Sequence, residues 1–198
     1  MTTQPRGARR NARRFLLLVY RMPAKPTAGR VAVWRNLKKI GAVYLQDSAC
    51  VIPDTAVLRR ELSPILERLD AGDGRYHLLP LRTLPPDEEQ KLVDLFVQQT
   101  ADHYREIIED CEVNFVKEIE FERFRQNFTY EEAEEIRMDF EKLGTWFERV
   151  SERDWFGAPN REEAITWLKR CEELLEAFEE EVFEVNATDS AASEPDNT

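Results

Sequence analysis

Arginine and lysine crowd the start of the chain: residues 1–46 hold eleven of them and no Asp or Glu, the first acid being Asp47. Arg6, Arg9, Arg10, Arg13 and Arg14 stand ahead of the first apolar segment and read as a flexible basic arm. Arms of this kind contact phosphates electrostatically, without sequence preference. At about 100° per residue, Arg35, Lys38 and Lys39 fall together on the side of a helix away from Val33, Trp34, Leu37 and Ile40, giving that helix one apolar and one basic face. These eight cations are the residues expected to bind nucleic acid. Through residue 84 there are 16 basic against 6 acidic residues, a charge of +10, whereas 85–198 holds 12 against 33, a charge of −21. The net charge of −11 therefore conceals a basic front and an acidic rear. Two other accounts need no polyanion: the halves attract each other, or the cations form a solvated face and a frayed arm.

Catalysis has little to rest on. His77 falls in an expected strand and His103 in an expected helix, with no nucleophile or carboxylate at a spacing that makes a known site. There is no phosphate-cradling glycine loop of the Walker or G-x-G-x-x-G kind. Glu131, Glu132, Glu134 and Glu135 are consecutive helical carboxylates, which point different ways and read as a solvated face rather than a metal site. No catalytic residue, metal or cofactor is expected, and the chain does not read as an enzyme. Cys50, Cys111 and Cys171 are odd in number and about sixty residues apart, which opposes both a zinc site and a disulfide scaffold and fits a reducing compartment. Cys50 reads as a small buried hydrophobe.

With 198 residues, 42% hydrophobic and 34% charged, the chain suffices for one or two domains, and no apolar run approaches the roughly 20 residues of a membrane helix. Arg13 and Arg14 precede the apolar run 15–20, but six residues are too few for an export signal, which needs roughly 7 to 15. A cytoplasmic location without membrane attachment is expected.

The elements that must carry these side chains follow from spacing. Residues 15–20 are continuously apolar, as in a strand buried on both faces. Thr27 is an N-cap for the helix whose apolar stripe includes Trp34, and Gly41 closes it. Residues 42–46 and 49–52 read as a hairpin around Asp47 and Ser48. Asp54 is expected to cap a second helix that buries Leu58, Leu62, Ile65, Leu66 and Leu69, with Pro64 bending it or weakening its first half. Residues 70–74 form a turn and 76–81 a fourth strand. The order strand, helix, strand, strand, helix, strand is a ferredoxin-like βαββαβ unit. From residue 85 the spacing is helical. Leu92, Phe96, Tyr104, Ile107, Ile108, Cys111 and Phe115 mark one face, interrupted near Asn114. Thr129 with Glu132 opens a helix that ends near Asp154, and Asn160 with Glu163 opens one that ends near residue 185. The fold class is thus α+β: a basic arm at 1–13, a ferredoxin-like domain at 14–84, an acidic helical domain at 85–185, and a disordered tail at 186–198.

The segment RFLLLVYRMPAKPTAGRVAVWRNLKKIGAVYLQDSACVIPD resembles the opening of the chromate-resistance protein ChrB family. FTYEEAEEIRMDFEKLGTWFERVSERDWFGAP and REEAITWLKRCEELLEAFEEEVFEV resemble the helical half of the same N-terminal region, so the resemblance covers most of 14–185. The ferredoxin-like unit is also similar to the central domain of PaaX-type repressors and to small nucleases of CRISPR adaptation. In those nucleases an Asp after the first strand's terminal aromatic helps hold a divalent metal. Here Arg21 follows Tyr20, and a cation at that place opposes Mg²⁺.

The resemblance implies a regulator of a chromate efflux operon, hence DNA as a partner and transcriptional control as a role. The alternative is a protein-interaction or dimerisation module that does not touch nucleic acid. The resemblance also implies chromate or another oxyanion as a ligand. Arg21, Lys25 and Arg30, with Arg35, are the candidate oxyanion-binding residues, because guanidinium and ammonium groups hold a tetrahedral dianion by charge-assisted hydrogen bonds. Longer family members carry a further C-terminal region, so a partner protein supplying it is one expectation; a homo-oligomer is the other, because two-sided burial of Phe15 to Tyr20 needs either the helical half or a second subunit as cover.

Overall fold

The computed structural model describes residues 14–25 and 27–192. Two compact units divide between Leu95 and Phe96, inside a helix and beyond residue 84, where the charge balance changes sign.

In the first unit β1 (Phe15–Arg21) is followed by α1 (Thr27–Lys39), β2 (Val43–Gln46), β3 (Ala49–Pro53), α2 (Ala56–Ala71) and β4 (Arg75–Leu81). The strands form one sheet in the order β2-β3-β1-β4, with β1 antiparallel to both neighbours. This is the expected βαββαβ arrangement. Leu16 pairs with Ile52 and Leu18 with Cys50, so these four side chains share a face, and all are buried. Val33, Leu37, Leu58, Leu62, Ile65 and Leu69 supply the buried helical half of the core, with α1 and α2 packed together. Two-sided burial of β1 holds only at its start. Phe15, Leu16 and Leu18 are buried, whereas Val19 is 38% exposed and Leu79 on β4 is 49% exposed.

Gly41 ends α1 at φ 76°, a left-handed turn that only glycine adopts without strain, and its N–H donates to the Lys38 carbonyl. The cap of α2 differs from expectation. Thr55 Oγ1 accepts from the Leu58 amide at 3.1 Å, while Asp54 pairs with Arg59 Nη2 at 2.9 Å. A guanidinium is the stronger partner for a carboxylate, and a hydroxyl suffices for the cap. Pro64 sits inside α2 without ending it.

The second unit contains the remainder of α3 (Pro86–Glu109), a π-helical turn (Asp110–Phe115), α4 (Val116–Arg125), α5 (Tyr130–Ser151) and α6 (Arg161–Ala192). Ile107, Cys111, Phe115 and Ile119 are all buried. Three successive steps of four residues overshoot an α-helical face by roughly 120°, and the wider π turn absorbs that excess. The interruption expected near Asn114 is therefore a change of helical pitch. Thr129 caps α5 by accepting from the Glu132 amide. Asn160 precedes α6, but its Nδ2 donates to the Ala101 carbonyl at 2.9 Å, so its amide ties α6 to α3. Helix α6 runs on to Ala192, past the point where the tail composition predicts disorder. Asn186 helps hold this extension, its Nδ2 donating to the Phe128 carbonyl at 2.9 Å and the Val182 carbonyl at 2.7 Å.

Candidate nucleic-acid interface

On α1 the residues one turn apart form two ridges. Arg30, Trp34 and Lys38 make one, and Val31, Arg35 and Lys39 the other. The first ridge overlooks a groove of about 550 Å³ lined by Tyr20 and Arg21 at the end of β1, by Thr27, Arg30 and Trp34 of α1, and by Asp47 in the β2–β3 turn. A second hollow of about 260 Å³ shares Trp34 and Asp47 and adds Lys38 and Tyr44. The two are successive parts of one channel along α1.

Its floor is a pair of phenols. The Tyr20 and Tyr44 hydroxyls lie 2.9 Å apart, and burial pushes both pKa values up, so both stay protonated at neutral pH. The Tyr20 amide donates to the Ser48 carbonyl at 2.9 Å, fixing the turn that carries Asp47. The Lys38 ammonium stands 5.6 Å from the centroid of the Tyr44 ring, a cation–π contact that holds it over the channel.

Trp34 departs from its expected role. It belongs to the spacing that predicted the apolar stripe, yet it is 48% exposed. Val33 and Leu37 take the core side, and Trp34 turns some 60–100° from them at about 100° per residue. The signal was available in the sequence, since Trp34 is four residues from both Arg30 and Lys38 and so falls on their ridge.

The structure brings Arg21 and Arg30 into one lining and leaves Lys25 and Arg35 outside it. Arg35 and Lys39 are exposed on the adjacent ridge. Arg14 lies at the other end of β1 from Arg21, about 23 Å away along the strand, and its carbonyl accepts from the Asp54 amide. Arg6, Arg9, Arg10 and Arg13 lie outside the described residues. Among the described residues, Arg21, Lys25, Arg30 and Arg35 have no carboxylate within 4 Å. In the helical unit, by contrast, Arg123 pairs with Glu181, Arg137 with Glu179 and Lys142 with Asp139.

The other groups considered for chemistry are placed differently. Cys50 is fully buried, and burial pushes its thiol up to about 12, which keeps it protonated. Cys111 and Cys171 are buried in the helical core. His77 is exposed on β4 and His103 is half-buried on α3. Among the described residues no cluster of three His, Cys, Asp or Glu is arranged to hold a metal ion, and no helix is long and apolar enough to cross a membrane.

The family model described as the N-terminal part of protein ChrB matches residues 30–189. The chain belongs to the ChrB family. Protein ChrB of Cupriavidus metallidurans (strain ATCC 43123 / DSM 2839 / NBRC 102507 / CH34) is 29% identical over 86 residues, which are 43% of this chain and 26% of that protein. The aligned part thus spans about a quarter of the relative's length. Within ChrB-family territory fall Arg30, Trp34, Arg35, Lys38 and Lys39, whereas Arg21 and Lys25 precede the matched segment.

Proposed function

We propose that this protein is a DNA-binding transcriptional regulator of a chromate efflux operon. It would engage phosphates through the exposed basic ridges of α1, with the arm at 1–13 adding sequence-independent attraction. One observation supports this reading: among the described residues, Arg21, Arg30 and Arg35 have no carboxylate within 4 Å, in a chain of net charge −11. In so acidic a protein, unpaired guanidinium groups on α1 and at the end of β1 retain a positive field for a polyanion. Arg21 and Arg30, at the N-terminal end of α1, supply the charge for an oxyanion effector such as chromate. The location consistent with this role is the cytoplasm, and the role requires no catalysis.

The test is a mobility shift with the DNA upstream of the protein's own operon at low and high salt, joined to a reporter with and without chromate. Binding that is lost at high salt, with reporter output that responds to chromate, is expected. No binding at low salt would overturn the proposal. Isothermal titration with chromate and sulfate, repeated on Arg21→Ala, tests the effector role. Equal heats from both proteins would remove it.

A second possibility is a protein-interaction or dimerisation module, favoured by exposed Val19 and Leu79 on the sheet. Analytical ultracentrifugation decides it. A concentration-dependent dimer that Leu79→Glu dissociates, without DNA binding at low salt, would replace the first proposal with this one.

A further inference from the structure

We propose that the α1 channel receives an unstacked base, so that its ligand is single-stranded or locally unpaired nucleic acid and Trp34 is the stacking platform. This rests on the nucleic-acid role of α1 and specifies which form of nucleic acid it takes. Trp34 is 48% exposed, with Arg30 one turn before it and Lys38 one turn after. Each step of four residues advances about 6 Å along the helix axis, so the backbone positions of the two cations stand about 12 Å apart with that of Trp34 midway. A nucleotide laid along this ridge has its base on the indole and its flanking phosphates near the two cations.

The chemistry of each group fits one part of such a ligand. Indole faces stack on any base, which makes the contact tolerant of sequence. An apolar protein partner covering Trp34 would desolvate the neighbouring Arg30 guanidinium without supplying an anion, whereas a nucleotide supplies one. Lys38 is already held over Tyr44, and the Tyr20–Tyr44 hydrogen bond stiffens the floor beneath the channel. Asp47 lies in both linings and accepts hydrogen bonds only, so it is matched to the amino edge of a base and not to a phosphate. In a regular duplex the base faces are covered by their neighbours, and Trp34 has nothing to stack on.

The experiment measures binding of a fluorescein-labelled mixed-sequence DNA strand of about 12 nucleotides, and of its duplex, by anisotropy over a range of salt, a length that covers one stacking groove. Trp34→Ala is expected to weaken single-strand binding about 5- to 150-fold while leaving the salt slope unchanged, and Trp34→Phe to retain most of the affinity. Arg30→Ala and Lys38→Ala should each lower the salt slope by about 0.7. Thermal unfolding of each variant checks that the fold persists, as the exposure of Trp34 leads one to expect. Unchanged single-strand affinity in Trp34→Ala overturns the inference. If the duplex still binds in a salt-dependent way, the DNA-binding role stands without stacking. If neither form binds at low salt, both fall.

Discussion

Replacing Arg35 and Lys39 together by Ala removes two cations from the ridge beside Trp34 without touching the core, since both side chains are exposed. Each phosphate contact on duplex DNA contributes about 0.9 to the slope of log K against log salt. If Arg21, Arg30, Arg35, Lys38 and Lys39 each neutralise one phosphate, they contribute a slope of about −4.5, or roughly a 500-fold loss of affinity between about 50 and 200 mM salt. The double variant should fall to about −2.7, roughly a 40-fold loss over the same range. Any contacts made by the arm at 1–13 add equally to both proteins, so the difference in slope, about 1.8, is the quantity that tests α1. Anisotropy with a labelled duplex at several salt concentrations measures it. The charge-conserving pair Arg35→Lys with Lys39→Arg should keep the original slope. A difference below about 0.5 would show that these cations do not displace counterions and that α1 does not face the duplex.

Three further outcomes concern stability. The Glu118 carboxyl sits above its ordinary value of 4.5 because of partial burial and then the carboxylates of Asp139, Glu122 and Glu135. A raised folded pKa means that the native state binds the proton first, so this group's contribution improves as pH falls from neutral through that pKa toward 4.5. Glu118→Gln should therefore be more stable than the parent at pH 7 and lose part of the pH dependence, by thermal melts followed at a helical wavelength; equal melting at pH 7 would contradict this. Asn127 Nδ2 donates to Glu122 at 2.7 Å and to Glu132 at 2.9 Å, and Glu122 is only 4% exposed. Asn127→Ala should cost about 1–3 kcal/mol, and an unchanged urea midpoint would refute it. Gly41→Ala, forced into a left-handed conformation at φ 76°, should cost about 1–2 kcal/mol by urea denaturation, and a neutral result would show that the turn relaxes.

The basic front and acidic rear are properties of composition, and they were legible at once. So was the βαββαβ order, because the period of apolar residues switches between strand-like runs and helical spacing, and each switch is punctuated by Pro, Gly or a capping residue. Thr129 carried its cap in plain view. Three local outcomes were not legible, because each turned on a hydrogen bond that residue type and spacing do not reveal. Asp54 and Thr55 both suit an N-cap, and the choice turned on Arg59 reaching Asp54. Asn160 suited a cap until the Ala101 carbonyl came within reach. The 186–192 segment is polar enough to be disordered, and its helix is held in part by Asn186 bonding to a carbonyl 58 positions away.

The sequence by itself determined where charge concentrates, which segments between 15 and 185 are helix or strand, and which cations lie on one side of α1, since all of these depend on composition and short-range periodicity. Only the tertiary structure decided which of those cations stand together. Arg21 and Arg30 meet in one groove and Arg14 stands at the far end of β1, because strand direction separates residues that are close in number and folding joins others. The ridge that carries Trp34 follows from spacing, whereas its 48% exposure was a tertiary matter. Val33 and Leu37 take the core side of α1, and the indole, on another side of the helix, faces outward on the ridge between two cationic residues.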